Sequence, residues 1–189
     1  SNTLKWVGCG YGAGILYINQ DFFTEREIPF SGWLSVKDPF AMDNDNVKVI
    51  NQPRFMDVFG GCPNYAALLA LKGSFDLIKE QIGFGSIKKG IISIQERILW
   101  LTEYFLKKIR EFDLKLITPL EPEFRSGIIT IEHKKAENIY EHFIKNNIFT
   151  TLKKYPSAKT NTLLRFFFNY YNSEKDIDKV IKVLRSIII

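Results

Sequence analysis

The stretch LLRFFFNYYNSEKDIDKVIKVL, residues 163–184, is where the fold is decided. Its first six residues, apolar except for Arg165 and closed by polar turn formers, read as a short strand. Successive strand side chains face opposite ways, so Phe167 points away from Phe166 and Phe168, and a covered second sheet face is expected. Ser173 then opens a helix. Its hydroxyl can cap the free amides of the first turn, and Asp176, three residues on, sets a carboxylate against the helix's positive end. Ile177, Val180, Ile181 and Leu184 recur at three- and four-residue steps and form the inner face.

The segments before it obey the same two periods. Residues 114–117, 127–132 and 148–152 read as strands and 135–146 as a helix, so residues 113–189 predict a compact lobe of a few strands covered on one side by helices. A long helix over 86–110 carries Ile91, Ile94, Ile98, Leu101, Phe105 and Ile109 in one stripe, a length suited to a connector. Residues 64–81 predict another helix, with Ala67, Leu68, Leu71, Phe75 and Ile78 on one buried face, closed near Gly83. Residues 21–57 hold prolines at 29, 39 and 53 and the polar run 43–46 without a steady period, and are expected to be mostly loop; a loop this long is usually functional or held by a partner. Residues 12–19 read as a short buried strand after a glycine-rich turn.

Composition excludes several classes of function. With 46% hydrophobic and 25% charged residues the chain is globular rather than disordered. It has neither a run of roughly eighteen uncharged apolar residues nor a charged-then-apolar leader, so no membrane segment and no secretory signal are expected and the protein is read as cytoplasmic. The net charge of +5 does not imply nucleic acid, because the lysines are interspersed with acids along the helices. Cys9 and Cys62 are far apart and outside any metal-ligand spacing, so buried thiols are the expectation. His133 and His142, nine apart, are expected to be solvated or cap-like.

Two features could carry chemistry. Gly8, Gly10, Gly12 and Gly14 would let backbone amides approach a phosphate, but a dinucleotide site needs a helix after the glycines and residues 15–18 read as strand. A tight turn is the simpler reading. Lys5 stands among Leu4, Trp6 and Val7, and an amine in apolar surroundings has its charged form destabilised, as a lysine that condenses with a carbonyl requires.

Thr3-Leu4-Lys5-Trp6, followed by the glycines and by Gly14-Ile-Leu-Tyr-Ile18, resembles the segment of fold-type I pyridoxal-phosphate (PLP) enzymes of class V that bears the cofactor-anchoring lysine. That group contains cysteine desulfurases, kynureninases and epimerase-like aminotransferases. Pro29-Phe-Ser-Gly32-Trp33, with Phe40 and Met42 beyond, is similar to a loop of kynureninase-like members. Phe59-Gly-Gly61-Cys62-Pro63-Asn64-Tyr65 resembles the family's Gly-Thr-Pro-Asn segment. Leu164-Arg165 through Tyr171-Asn172-Ser173-Glu174 is similar, without gaps, to the family's strand, Tyr-Asn-Thr turn and terminal helix.

The resemblance implies an α/β fold with an α+β small lobe: residues 1–84 as a remnant of the large PLP-binding domain, 85–112 as a connecting helix and 113–189 as the small C-terminal domain. It implies an amino-acid substrate, PLP as cofactor and a homodimer. Lys5 would anchor the cofactor and shuttle the proton at Cα, and Arg165 would hold the α-carboxylate, for which a guanidinium offers two parallel donors and a permanent charge. Gly61 and Cys62 would touch the phosphate of the neighbouring subunit. The likeness covers only the family's second half, so the ring-stacking residue, the aspartate on the pyridine nitrogen and most of the phosphate cup are absent, and the chain alone is expected to be inactive. Leu4, Cys62 and Phe167 depart from the family pattern at a histidine or tyrosine, a threonine and a serine. No cysteine lies between Phe124 and Arg165, which sets desulfurase chemistry aside. The rival reading is a non-catalytic, truncated or degenerate module acting by protein association.

Overall fold

Alternation along one strand builds the larger half of the molecule. In a computed structural model, which describes residues 3–19, 21, 27–57, 61–155 and 159–188, the chain divides into two compact units, Ser1–Leu77 and Ile78–Ile189. The elements in order are helix α1 (Tyr65–Asp76), a π-helical turn (Leu77–Ile82), helix α2 (Ile87–Ile109), strands β1 (Lys115–Leu116) and β2 (Ile128–Glu132), helix α3 (Ala136–Lys145), strands β3 (Thr151–Lys153) and β4 (Leu163–Phe167), and helix α4 (Glu174–Ile188).

In the second unit the four strands form one antiparallel sheet in the order β1-β2-β4-β3. Pairing Ile129 with Phe166 and Ile131 with Leu164 puts these four side chains on one face. There they meet Leu101 and Phe105 of α2, Ile139 and Phe143 of α3, and Ile177, Ile181 and Leu184 of α4, all nearly inaccessible to solvent. The Phe105 ring lies 4.8 Å from Phe166 and 5.0 Å from Phe168, and Phe143 meets Phe166 edge-on at 5.8 Å. The lobe expected over residues 113–189 is thus a sheet with helices on one face.

Helix α2 falls within the expected 86–110, and the Ser86 hydroxyl caps it by accepting the Lys89 amide. Its stripe is buried only from Ile98 onward, whereas Ile91 is 54% exposed. Length explains the difference. A five-residue strand spans about 17 Å and this helix about 35 Å, so the sheet can cover only its second half.

Three local expectations are corrected. The strand expected over 148–152 is shifted to Thr151–Lys153, because the Ile148 amide donates to the Phe143 carbonyl at 2.8 Å and so closes the end of α3 instead of joining the sheet. At α4 the Ser173 hydroxyl does not accept an amide; its N–H (2.8 Å) and O–H (3.1 Å) both donate to Asp176 Oδ2. Backbone donation from Ser173 holds the Asp176 carboxyl below its usual range. Phe167 is 40% exposed, so the described residues leave the second sheet face open at that end.

The described residues of the first unit hold one α-helix and short 3-10 turns (Trp33–Ser35, Pro39–Ala41 and Pro53–Phe55) in otherwise irregular chain. Asn64 caps α1 by accepting the Ala67 amide at 3.1 Å, but among the described residues only Ala67 of α1 is buried; Leu68 and Leu69 are exposed. The single buried face expected for this helix is therefore only partly covered. Residues 15–19 form no strand, with Leu16 and Tyr17 largely exposed, and the segment's β-structure is limited to a bridge at Gly14. The expected long loop is confirmed over 27–57, and residues 22–26 lie outside the described part. Buried Ser35 is its hub: the hydroxyl accepts the Gly32 amide at 3.0 Å and donates to the Phe55 carbonyl, while the Ile50 amide donates to the Ser35 carbonyl at 2.8 Å.

Replacing Phe105 by Ala should cost about 3–5 kcal/mol, the range for truncating a fully buried aromatic. Urea denaturation followed by circular dichroism measures it; a loss below about 1 kcal/mol would show that this ring does not hold the second unit together.

Candidate functional site

Lys5 lies in the turn of residues 4–7 and is exposed, so the apolar enclosure expected from Leu4, Trp6 and Val7 is not formed by the described residues. Thr3, fully buried, pins the base of this turn. Its hydroxyl donates to the Ala13 carbonyl at 2.7 Å and receives the Cys9 thiol at 2.9 Å, and the Cys9 amide donates to the Thr3 carbonyl at 3.3 Å. Cys9 is thus the buried thiol expected; Cys62 is exposed, contrary to that expectation.

The glycines after Lys5 make a turn. Gly8, Gly10 and Gly12 have φ of 71°, 80° and 98°, where other residues are strained. A methyl group on Gly12 would stand 2.5 Å from Asn64 Nδ2, so this turn rests against the residue that caps α1. The Lys5 segment and the segment 61–64 are thereby brought together within the first unit.

Gly61 is buried at φ 79°, and a methyl group there would overlap the Trp33 indole nitrogen. Trp33 in turn meets Phe40 edge-on at 5.4 Å. The backbone of 61–62, leading into a helix N-terminus with an indole N–H alongside, is chemically suited to an anion such as a phosphate. Cys62 supplies no threonine hydroxyl, which leaves the backbone amides. Phe59 and Gly60 lie outside the described residues. An open concavity of about 800 Å³ is lined by residues 14 and 16–18, Leu34, residues 54–57, Gly61 and Pro63; Lys5 and Cys62 are not in its lining.

Arg165 belongs to the second unit, on the sheet face away from the helices. It stands at the centre of β4, an interior strand, with Thr130 opposite on β2 and Thr151 opposite on β3. Half-buried, its side chain has no hydrogen bond or ion pair among the described residues. Arg165 is therefore not a strand-end arginine paired with a surface acid. The nearest acid along the sheet, Glu132, is engaged by Lys115 at 2.7 Å, and that hydrogen bond is the main cause that raises the Lys115 amine above its usual value.

The histidines act locally. His133 Nδ1 accepts the Lys135 amide at 3.1 Å and burial lowers its pKa, while His142 Nδ1 is 2.8 Å from the Asn138 carbonyl oxygen. No group of three metal-ligating side chains occurs among the described residues. Two neighbours escaped sequence reading. Trp33 and Gly61 meet only through the fold, and no periodicity signals it; the threonines beside Arg165 follow from strand alternation once the register is known.

Residues 94–184 match the family model described as Kynureninase C-terminal domain. A kynureninase of Deinococcus radiodurans is 26% identical over 96% of this chain and 43% of its own length, and a probable cysteine desulfurase of Pyrococcus abyssi is 24% identical over 94% and 43%. An apo cysteine desulfurase from Thermococcus onnurineus NA1 superposes with a TM-score of 0.71 at 18% identity, covering 91% of this chain and 42% of that one. The cystine C-S lyase C-DES, solved with its product cysteine persulfide, gives 0.66 at 14% identity, over 89% and 40%. The chain therefore spans about two fifths of the length of the proteins it matches. No helix among the described residues is long and apolar enough to cross a membrane. The chain has the fold of the C-terminal part of a class V PLP-dependent enzyme, and it is kynureninase-like in sequence across residues 94–184.

Proposed function

We propose that this chain is the C-terminal part of a PLP-dependent enzyme that acts on an amino acid, with Arg165 holding the substrate's α-carboxylate. The observation that carries the reading is the guanidinium itself: central in an interior strand, half-buried and without an acid among the described residues. A permanent cation in that position is suited to a carboxylate brought from outside. The relatives' names, kynureninase and cysteine desulfurase, belong to enzymes of amino acids, and a C-DES mutant has been solved with glycine covalently linked to its PLP cofactor.

In this reading Lys5 anchors the cofactor and carries the proton to and from the substrate's Cα. Its exposed position at the tip of a turn pinned by Thr3 suits an amine that must meet a group supplied by another part of the protein. Gly61 and Cys62 offer backbone donors to the cofactor phosphate across a homodimer interface, with the Trp33 N–H beside them. PLP, when bound, supplies the electron sink that makes chemistry at Cα possible. Residues 1–84 then belong to the large domain, 85–112 to a connecting helix and 113–189 to the small domain, in a cytoplasmic enzyme. The chain alone is inactive, because the groups that orient the cofactor ring are not among its residues.

The second reading, a non-catalytic module acting by association, draws on the exposed apolar side chains of the first unit. Leu16 at 70%, Tyr17 at 84% and Leu69 at 69% exposure would favour a protein partner. Borohydride reduction in the presence of PLP separates the two. It is carried out on this chain and on a polypeptide in which the chain follows the N-terminal segment that its relatives carry. The enzyme reading expects a covalent label at Lys5 in the longer polypeptide, lost in Lys5→Ala. Label at another lysine would overturn that assignment, and none in either polypeptide would favour the module.

Gly61→Ala should destabilise the first unit by about 1–3 kcal/mol from left-handed strain alone. Trp33 would lose its packing, and its fluorescence emission should move to longer wavelength as the ring meets water. An unmoved spectrum with wild-type stability would show that the loop is not held by this contact.

A further inference from the structure

The outer sheet face raises a question of charge. Beyond the row Thr130–Arg165–Thr151 lies the row Glu132–Leu163–Lys153, extended on β1 by Lys115, which pairs with Glu132. Diagonal cross-strand positions on one face stand about 7–8 Å apart at the backbone, within reach of long side chains. Of the same-face neighbours that the pairing gives Arg165, only Glu132 is acidic. It is therefore the internal carboxylate best placed to occupy the guanidinium and compete with a carboxylate ligand.

It does not do so. One Glu132 oxygen is 2.7 Å from the Lys115 amine, and the other receives the Thr162 hydroxyl at 3.5 Å. Lys115 is 71% exposed and its partner 23%, so this pair adds little to stability. Its geometry has another effect: with one oxygen on Lys115 of β1 and the other on Thr162 at the start of β4, the Glu132 carboxylate is engaged by groups other than Arg165.

We propose that Lys115 is a positioning residue, which holds Glu132 aside and so keeps the Arg165 guanidinium available to a carboxylate ligand. This inference rests on the reading of Arg165 given above. Without the ammonium at 115, Glu132 swings across the diagonal and forms a hydrogen-bonded ion pair with Arg165, and an incoming carboxylate must displace it.

Acetate is the probe, titrated into the 189-residue chain at constant ionic strength against chloride and followed by the backbone amide shifts of residues 130, 151 and 165. Arg165→Met should abolish the acetate response; a response that survives it, or none in the unaltered chain, overturns the reading of Arg165 itself. Lys115→Met should weaken acetate binding about two- to fivefold, the size of a half-exposed ion pair. Lys115→Arg should leave it unchanged. The decisive comparison is made with Glu132 replaced by Gln, where Lys115→Met should have no effect, since there is no carboxylate left to capture. An equal loss in both backgrounds would mean that Lys115 acts only through the general field, and no loss in either would remove it from the site; both overturn the inference while leaving Arg165 in place. Amide dispersion in each variant reports whether the sheet is intact.

Discussion

The ring of Phe105 between Phe166 and Phe168 is the contact on which the second unit depends. It joins the one long helix to the strand at the middle of the sheet, at centroid separations of 4.8 and 5.0 Å, with no solvent access to the ring. Phe143 of α3 reaches the same Phe166, so two helices are referred to a single side chain. Such tilted and edge-on contacts add directional preference to apolar burial. Everything on the far side of β4, Arg165 included, takes its orientation from this packing.

Around that core the polar links are peripheral but specific. Arg97 donates to Glu174 and to the Asn172 carbonyl, and Lys108 and Tyr104 both reach Asp178, so α2 and α4 are joined at two points along their length. These hydrogen bonds hold the carboxyls of Glu174 and Asp178 below their ordinary range. Arg125, with a side chain only 4% exposed, is neutralised by Glu103 at 2.9 Å. A buried guanidinium left without that partner would be costly, which makes this pair a constraint on how the segment before β2 can run.

Much of the second unit was legible because each of its elements buries one face. The stripes of α2, α3 and α4 and the alternation in β2 and β4 are direct records of burial, and the helices begin and end within a residue or two of where periodicity puts them. The misreadings share a cause. At Ile148 and Ser173 a backbone or side-chain group found a local partner that pattern alone does not distinguish from a sheet or cap partner. Residues 15–18 have the composition of a strand without its conformation, and apolar composition alone does not report ladder pairing. Of the candidate site, Lys5, Gly61, Cys62 and Arg165 came from motif resemblance, whereas the burial of Gly61 beneath Trp33 and the row of threonines around Arg165 required the fold.

Strand β4 has a further property. Leu164 and Phe166 face the helices while Arg165 faces the other way, so apolar burial and a permanent cation are written on alternate letters of one five-residue word. A substitution changes one letter and one job. An inserted or deleted residue shifts the reading by one, driving a guanidinium into the apolar layer and turning two large side chains outward. Descendants of this sequence can respell β4 but cannot change its length, and the position of the arginine is inherited with the core.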